Sequence, residues 1–207
     1  MQIDSLIFDL DGTLWDSVDG IVASWNVALK KYPEIQIQLT REQVMSVMGT
    51  QLPEIARRFF GNIAEEKRQE IMRVCSREEC RYLKERGGVL YEELEETLKQ
   101  LSKKYKLLIV SNCQCGYIEG FLSYHQLEKY FVDIQDAEST GLTKAENILK
   151  VIARNHLEAP VYVGDTQKDQ ESARIAGIPF VYASYGFGKV TTYDYKIKTF
   201  KELLQFL

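Results

Sequence analysis

LIFDLDGTL, at residues 6–14, decides the fold of this chain. A short apolar run ends in two carboxylates two residues apart, Asp9 and Asp11, and a turn-forming glycine follows at once. Two acids brought together at the rim of a sheet repel each other and lose water, which pushes their pKa values apart. The same pair also offers oxygen ligands to a divalent cation. On spacing alone, Asp-x-Asp-Gly is ordinary turn chemistry as well, so the later strand ends must supply compatible groups.

Composition limits the possible classes of protein. The chain has 207 residues, of which 45% are hydrophobic, and it carries a net charge of −4. This length suits one large domain, or a core with a smaller insert, and the negative charge argues against a nucleic-acid or anionic-membrane partner. The early acids argue against a signal peptide, and no apolar run has membrane-spanning length. We therefore expect a soluble, cytoplasmic protein.

The four cysteines are expected to be reduced thiols. Cys75 and Cys80 lie in a charged helical stretch, and Cys113 and Cys115 lack the spacing of a structural zinc site. Because Cys113 follows a predicted strand end, we expect it to lie near the functional site.

Short β-rich runs alternate with helical patterns over most of the chain. The runs lie at 5–10, 106–111, 131–135, 161–164 and 179–183. The helical patterns between and after them lie at 92–105, 144–155, 170–176 and 200–207. This alternation predicts an α/β fold, a Rossmann-like, doubly wound parallel sheet with helices on both faces. Such sheets place their ligands beyond the carboxyl ends of the strands.

The interval 15–86 breaks this alternation, because it contains no convincing strand. Helical patterns occupy 19–32, 41–48, 52–60 and 64–84. We therefore predict a core domain made of residues 1–14 and 87–207, with an all-helical cap domain at 15–86. Because this insert starts just after Asp11, we expect it to act as a lid that excludes water from the site.

Two later segments carry groups suited to binding a phosphate. Ser111 and Asn112 follow the second predicted strand, where hydroxyl and amide groups donate hydrogen bonds to phosphoryl oxygens, although both residue types also cap helices. Lys144 stands at a predicted helix start, where the helix dipole disfavours a positive charge unless an anion lies between them. Most lysines are simply solvated, so both interpretations of this residue stay open at this point.

A second acidic cluster follows the strand predicted at 161–164. Asp165 lies directly at the strand end, and Asp169 follows four residues later at a helix start. Helix capping alone would explain both acids. Parallel strands end at the same edge of a sheet, however, so this cluster and the Asp9 pair are placed to share one Mg²⁺.

Together these motifs resemble, in order and spacing, those of the haloacid dehalogenase-like (HAD) hydrolase superfamily. The matching residues are Asp9-Leu10-Asp11-Gly12-Thr13-Leu14, Ser111-Asn112, Lys144, and Gly164-Asp165 with Asp169. The resemblance covers essentially the whole chain and is closest to the phosphoglycolate-phosphatase-like branch, whose helical cap lies between the first two motifs. Relatives usually carry Lys-Pro near the lysine motif, whereas Ala145 follows the lysine here.

The resemblance implies a phosphatase that acts on a small phosphorylated metabolite. Asp9 is implied as the nucleophile that forms an aspartyl-phosphate. Asp11 is implied to protonate the leaving oxygen and then to activate the water that hydrolyses the intermediate. Ser111, Asn112 and Lys144 are implied to bind the phosphoryl oxygens.

The resemblance also implies Mg²⁺ as the cofactor. Asp9, the backbone carbonyl of Asp11, and Asp165 are implied to hold the ion. Asp169 is implied either to bind it directly or to orient a bound water.

Two alternatives stay open beside the phosphatase. A sugar phosphomutase of the same fold shares the aspartyl-phosphate, although Thr13 resembles phosphatases, where mutases often carry valine. A non-catalytic module that binds a phosphorylated ligand would leave costly buried carboxylates unused. The expected partner is a small-molecule phosphate ester, either phosphoglycolate-like or a sugar phosphate, selected by the cap segment 47–51. We expect no nucleic-acid or membrane partner, and a monomer or weak homodimer.

Overall fold

A parallel sheet forms the centre of the structure, a computed structural model that describes residues 3–206. Its strands are Ser5–Phe8 (β1), Lys106–Ser111 (β4), Asp133–Asp136 (β5), Pro160–Gly164 (β6), Phe180–Ala183 (β7) and Tyr195–Ile197 (β8). Two short strands, Trp15–Asp16 (β2) and Val89–Leu90 (β3), form a separate antiparallel pair. The order across the sheet is β5-β4-β1-β6-β7-β8, so β1 lies at the middle between β4 and β6.

Helices cover both faces of this sheet. Those of the core are Leu94–Leu101 (α5), Tyr117–His125 (α6), Lys144–Asn155 (α7), Gln167–Ala176 (α8) and Leu203–Phe206 (α9). Successive residues of β1 point to opposite faces, so Leu6 and Phe8 join one buried cluster and Ile7 joins the other. This arrangement confirms the doubly wound α/β fold with its Rossmann-like parallel sheet.

The insert between β2 and β3 is built from four helices. They are Val18–Leu29 (α1), Arg41–Met45 (α2), Leu52–Phe60 (α3) and Glu65–Arg86 (α4). Helix α1 packs along α4, and buried side chains such as Trp25, Phe60 and Ile71 fill the space between the helices. None of the helices within residues 3–206 is long and apolar enough to span a membrane.

Several elements differ from the sequence-based expectations. The strand expected at 5–10 ends at Phe8, because the chain turns through residues 10–15 with Leu14 N bonded to Leu10 O at 2.8 Å. Helix α6 and strands β2, β3 and β8 were not predicted, since three of them are only two or three residues long and α6 contains Gly120 and aromatic residues of weak helix propensity. The expected C-terminal helix includes Leu207, which lies outside the described residues.

Candidate active site

The acids of the first motif lie at the carboxyl edge of the sheet. Asp9 directly follows β1, and its backbone N–H donates to Val163 O at 2.8 Å, which keeps it in line with the neighbouring strand. The side chain of Asp9 is buried. Because β4 and β6 flank β1 in parallel, their last residues, Ser111 and Gly164, reach the same edge.

Asp11 is held by three hydrogen-bond donors. Its Oδ1 accepts from Trp15 Nε1 at 2.8 Å, from Ser17 Oγ at 2.5 Å and from Tyr117 OH at 2.8 Å. The donors come from β2, from the start of the insert and from α6, so the carboxyl group is oriented by three separate segments. Burial raises the pKa of Asp11, and these three hydrogen bonds act in the opposite direction.

Lys144 is the buried cation of this edge. Thr143 caps α7, where its backbone N–H donates to Glu146 Oε2 at 2.8 Å, so the helix starts without a proline. The Lys144 Nζ then donates to Asp9 Oδ1 at 2.8 Å and to Asp169 Oδ1 at 2.5 Å. Burial disfavours the charged amine, but Asp169 and Asp9 raise the pKa of Lys144 well above its usual value. Lys144 is therefore not a solvated surface lysine, which was one of the two interpretations left open by the sequence, but a buried one paired with two carboxylates.

The second acidic cluster surrounds the same point. Asp165 Oδ2 accepts from the backbone N–H of Phe187 at 2.7 Å. Asp169 Oδ2 accepts from Thr166 N at 2.9 Å and from Thr166 Oγ1 at 2.6 Å, so Asp169 also serves in the capping box of α8. Gly12, at φ +84°, lets the first loop approach, since a Cβ there would lie 2.3 Å from Asp165 Oδ2.

Three carboxylates fit the requirements of a divalent cation. Asp9, Asp165 and Asp169 each present an oxygen, and these oxygens lie within 4.8 Å of one another. Asp165 Oδ1 is buried and has no hydrogen-bond partner among the residues that the structure describes. A buried carboxylate oxygen without a partner is costly, and a hard cation such as Mg²⁺ would satisfy it. Asp11 is not part of this group of three, and its Oδ1 accepts from three donors instead.

Burial and crowding raise the pKa values of Asp9 and Asp165. Burial, followed by the nearby charge of Asp169, raises the pKa of Asp9 to about 7, and Lys144 acts against that rise. Burial and the charges of Asp169 and Asp9 also raise the pKa of Asp165. A bound cation would favour the ionised forms of Asp9 and Asp165.

The two predicted phosphate contacts on β4 differ in their surroundings. Ser111 is buried and lines the cavity above Asp9. Asn112 lines the same cavity, but its Nδ2 donates to Gly49 O of the insert at 3.1 Å. Cys113 also lines the cavity, as expected for a residue just after this strand.

The loop of the insert between α2 and α3 is bonded to the core. Beside the Asn112 contact, Gln51 Nε2 donates to Leu142 O at 3.3 Å, and Lys168 Nζ donates to Thr50 Oγ1 at 3.1 Å. These bonds hold the loop over the carboxyl edge of the sheet. A cavity of about 50 Å³ remains beneath it, lined by both halves of the structure.

Sequence reasoning missed several residues of this site. Tyr117 and Trp15 touch Asp11, and Glu79 of α4 lines the cavity from the insert. Tyr117 was missed because helix α6, on which it lies, was not predicted. The helical spacing of Glu79 could have indicated that it is buried. Cys75 and Leu83, four residues before and after it, lie on the same buried face of the helix.

Known proteins resemble this chain in sequence and fold. The sequence profile of a family described as haloacid dehalogenase-like hydrolase matches residues 6–183. Pyrophosphatase PpaX of Bacillus mycoides is 30% identical, over 100% of this chain and 98% of its own. Phosphoglycolate phosphatase of Pseudomonas syringae pv. syringae is 26% identical, over 88% of this chain and 70% of its own. Among solved structures, a haloacid dehalogenase-like family hydrolase of Streptococcus pneumoniae superposes with a TM-score of 0.83 at 23% identity, covering 99% of this chain and 98% of that one.

Proposed function

Because the chain belongs to the haloacid dehalogenase-like hydrolases, we propose that it is a Mg²⁺-dependent phosphatase of small phosphorylated metabolites, of the phosphoglycolate or sugar-phosphate type. Relatives named as phosphatases support the reaction class. The observation that carries the proposal is the buried contact of Lys144 with both Asp9 and Asp169. An ammonium between two carboxylates leaves a net negative site for a cation beside a positive group for a phosphoryl oxygen.

The first step uses Asp9 and Asp11. A carboxylate oxygen of Asp9 attacks phosphorus, the bond from phosphorus to the ester oxygen breaks, and the leaving oxygen takes the proton of Asp11. Burial raises the pKa of Asp11, which favours the protonated form that this step requires. The product is an aspartyl-phosphate on Asp9 and a free alcohol.

The second step restores the enzyme. Water attacks phosphorus of the aspartyl-phosphate while the Asp11 carboxylate accepts the proton of that water. The bond from phosphorus to Asp9 breaks, and inorganic phosphate leaves. The three donors to Asp11 hold its carboxyl group in one orientation for both proton transfers.

The positive groups of the site offset the charge on phosphate. Asp9, Asp165 and the backbone carbonyl of Asp11 would hold Mg²⁺, with Asp169 as a further ligand or as the group that orients a bound water. When bound, the ion neutralises charge on the transferred phosphoryl group. The hydroxyl and N–H groups of Ser111 and Asn112 would donate to phosphoryl oxygens, as would Lys144.

We assign residues 15–86 the role of a cap domain on a core made of 1–14 and 87–207. The bonds from Gly49, Thr50 and Gln51 to the core support closure of this cap over the site. Closure would exclude water before the first step, and opening would release the alcohol. The four free thiols support a cytoplasmic setting.

Two measurements test this function. Release of inorganic phosphate from para-nitrophenyl phosphate should depend on added Mg²⁺ and be abolished in Asp9→Asn, and full activity of Asp9→Asn would refute the nucleophile. Scoring sugar phosphates for free phosphate and for an isomerised product separates a phosphatase from a phosphomutase. Binding of phosphate esters without turnover of any of them would identify a binding module instead.

A further inference from the structure

Glu79 is a buried acid in a position where an apolar side chain is expected. The buried face of α4 consists of Ile71, Met72, Cys75, Glu79 and Leu83. Glu79 is only 4% exposed, whereas its neighbour Glu78 forms ion pairs with Lys31 and Arg81 at the surface. Burying a carboxyl group costs free energy that an apolar residue would avoid. We therefore expect Glu79 to have a role other than packing.

The partners of Glu79 are neutral hydrogen-bonding groups. Trp25 Nε1 donates to Glu79 Oε2 at 2.6 Å, and the nearby side chain of Gln114 lowers the pKa of this carboxyl group against the effect of burial. All three residues line the cavity above Asp9. Within residues 3–206, no Lys, Arg or His side chain lines this cavity, so no cation of the cap compensates a charge placed there.

Most of the cavity wall from the cap is apolar. It includes Val47, Met48, Ile55 and Phe59, with Thr50 as a polar neighbour. Glu79 is therefore the ionisable group that the cap presents to the part of a substrate lying beyond the phosphate. The cavity of about 50 Å³ admits a small leaving group without movement of the cap, whereas a larger one requires the cap to open.

We propose that Glu79 is a specificity-determining residue that accepts a small leaving group bearing a hydroxyl or ammonium donor and rejects one bearing a carboxylate or second phosphate. The inference rests on the proposed phosphatase function and narrows its substrate class to esters with a hydroxyl or ammonium group, which leaves out the phosphoglycolate type. A hydroxyl or ammonium group would pair with the Glu79 oxygens. An anionic group would lose its hydration in this cavity, where no Lys, Arg or His side chain among the described lining residues pairs with it.

The protonation of Glu79 suits a neutral or cationic guest. Burial raises the pKa of Glu79 to about 8, so the empty pocket holds a neutral carboxyl group near neutral pH. That group can accept or donate a hydrogen bond to a substrate hydroxyl. An ammonium group instead would stabilise the ionised form, to which Trp25 already donates.

Three esters of similar size and different charge test the inference. They are hydroxyethyl phosphate, aminoethyl phosphate and phosphoglycolate, whose leaving groups are neutral, cationic and anionic. At neutral pH with Mg²⁺, we expect kcat/KM for hydroxyethyl or aminoethyl phosphate to exceed that for phosphoglycolate by about tenfold or more. A wild-type enzyme that favours phosphoglycolate, or treats the three esters alike, overturns the inference without any variant.

The variant Glu79→Gln assigns the preference to this side chain. Glutamine keeps an acceptor for Trp25 and the same shape, but it cannot ionise to pair with an ammonium group. We expect the preference for aminoethyl phosphate over phosphoglycolate to fall by about tenfold, mainly through KM. Glu78→Gln, which removes the adjacent surface charge, should keep the wild-type preference.

The outcomes separate this inference from the proposed function. Turnover of para-nitrophenyl phosphate, together with an unchanged preference in a folded Glu79→Gln, would overturn the role of Glu79 alone. Absence of phosphate release from every ester would overturn the proposed function, and the inference with it. Thermal unfolding of each variant verifies that it is folded, and if Glu79→Gln does not fold, the wild-type preference decides.

Discussion

The ammonium of Lys144 lies 2.8 Å from the carboxylate of Asp9, although 135 residues separate them in the chain. The same ammonium lies 2.5 Å from Asp169. Asp165 lies close to both of these acids, so one buried cation is balanced against a cluster of three carboxylates. This charge balance governs both the stability of the metal-free protein and its chemistry.

Lys144→Met should remove activity and weaken the fold together. Loss of the proposed phosphoryl contact should lower kcat/KM by about 100-fold or more. Asp9 and Asp169 also lose the buried charge with which they pair, so the metal-free variant should unfold at a lower temperature. Steady-state kinetics and thermal unfolding measure the two effects. Lys150→Met, on an exposed position of the same helix, serves as the control, and equal losses there would contradict the assignment.

Mg²⁺ should stabilise the wild-type protein by relieving repulsion among the acids. We expect saturating Mg²⁺ to raise the unfolding temperature by about several degrees. Asp165→Asn should lose that increase, while its metal-free form should be at least as stable as the wild type, since one buried charge is gone. Asp194→Asn alters an acid that likewise accepts a backbone N–H, from Phe180, and should respond to Mg²⁺ as the wild type does. An Asp165→Asn variant stabilised as strongly by Mg²⁺ would rule out this ligand.

Tyr117→Phe should impair the proton transfers of Asp11. The hydroxyl of Tyr117 donates to the Asp11 carboxylate at 2.8 Å, and we expect its loss to lower kcat by about tenfold. That hydrogen bond lowers the pKa of Asp11, so its removal should raise the pKa. The high-pH limb of the kcat/KM profile should then move to higher pH. Tyr124→Phe on the same helix should change neither quantity. An unshifted profile in Tyr117→Phe would disprove the role.

Gly49→Ala should disturb closure of the cap. Gly49 adopts φ +71°, and a Cβ there would lie 3.2 Å from Thr166 Oγ1. The backbone strain and the clash together should loosen the bond from Asn112 to Gly49, raising KM and lowering kcat by about threefold or more. Gly177→Ala has a similar φ of +73° with no atom within 4 Å of the added Cβ, so it isolates the strain. Equal kinetic losses in both variants would contradict a role in closure.

Glu79→Gln should change how stability depends on pH. The folded protein keeps the Glu79 proton up to about pH 8, whereas the unfolded chain releases it near pH 4.5. Stability contributed by this residue therefore falls as pH rises through that window, because the folded state binds the extra proton. Trp25, Gln114 and Asp11 are the groups that face it. Unfolding temperatures across the window should fall less in Glu79→Gln than in the wild type or in Glu78→Gln, and parallel curves would contradict the shifted pKa.

The sequence alone predicted the elements that local pattern encodes. The strands β1, β4 and β6 are rich in Ile, Val and Leu because they are buried on both faces of the sheet. Their apolar runs therefore predict these strands from the sequence. Polar residues at their carboxyl ends then indicated the edge that carries the site. Element ends were less well predicted, as the strand expected at 5–10 shows, because a turn competes with the strand there.

Contacts between distant segments were decided by the tertiary structure. No local pattern marks Tyr117 as a partner of Asp11, since the two are separated by 106 residues and meet only through packing of α6. The same holds for Glu79, whose importance comes from the cavity that the insert forms with the core.

The sequence by itself thus determined the α/β fold and the set of acids, lysine and hydroxyl at the sheet edge, because strand periodicity and strand-end chemistry are local. Only the tertiary structure decided which oxygen each group contacts, that Lys144 is buried between Asp9 and Asp169, and that Glu79 faces the cavity above Asp9. Those properties depend on burial and on distances across the fold, and desolvation acts on a side chain only once the chain has packed around it.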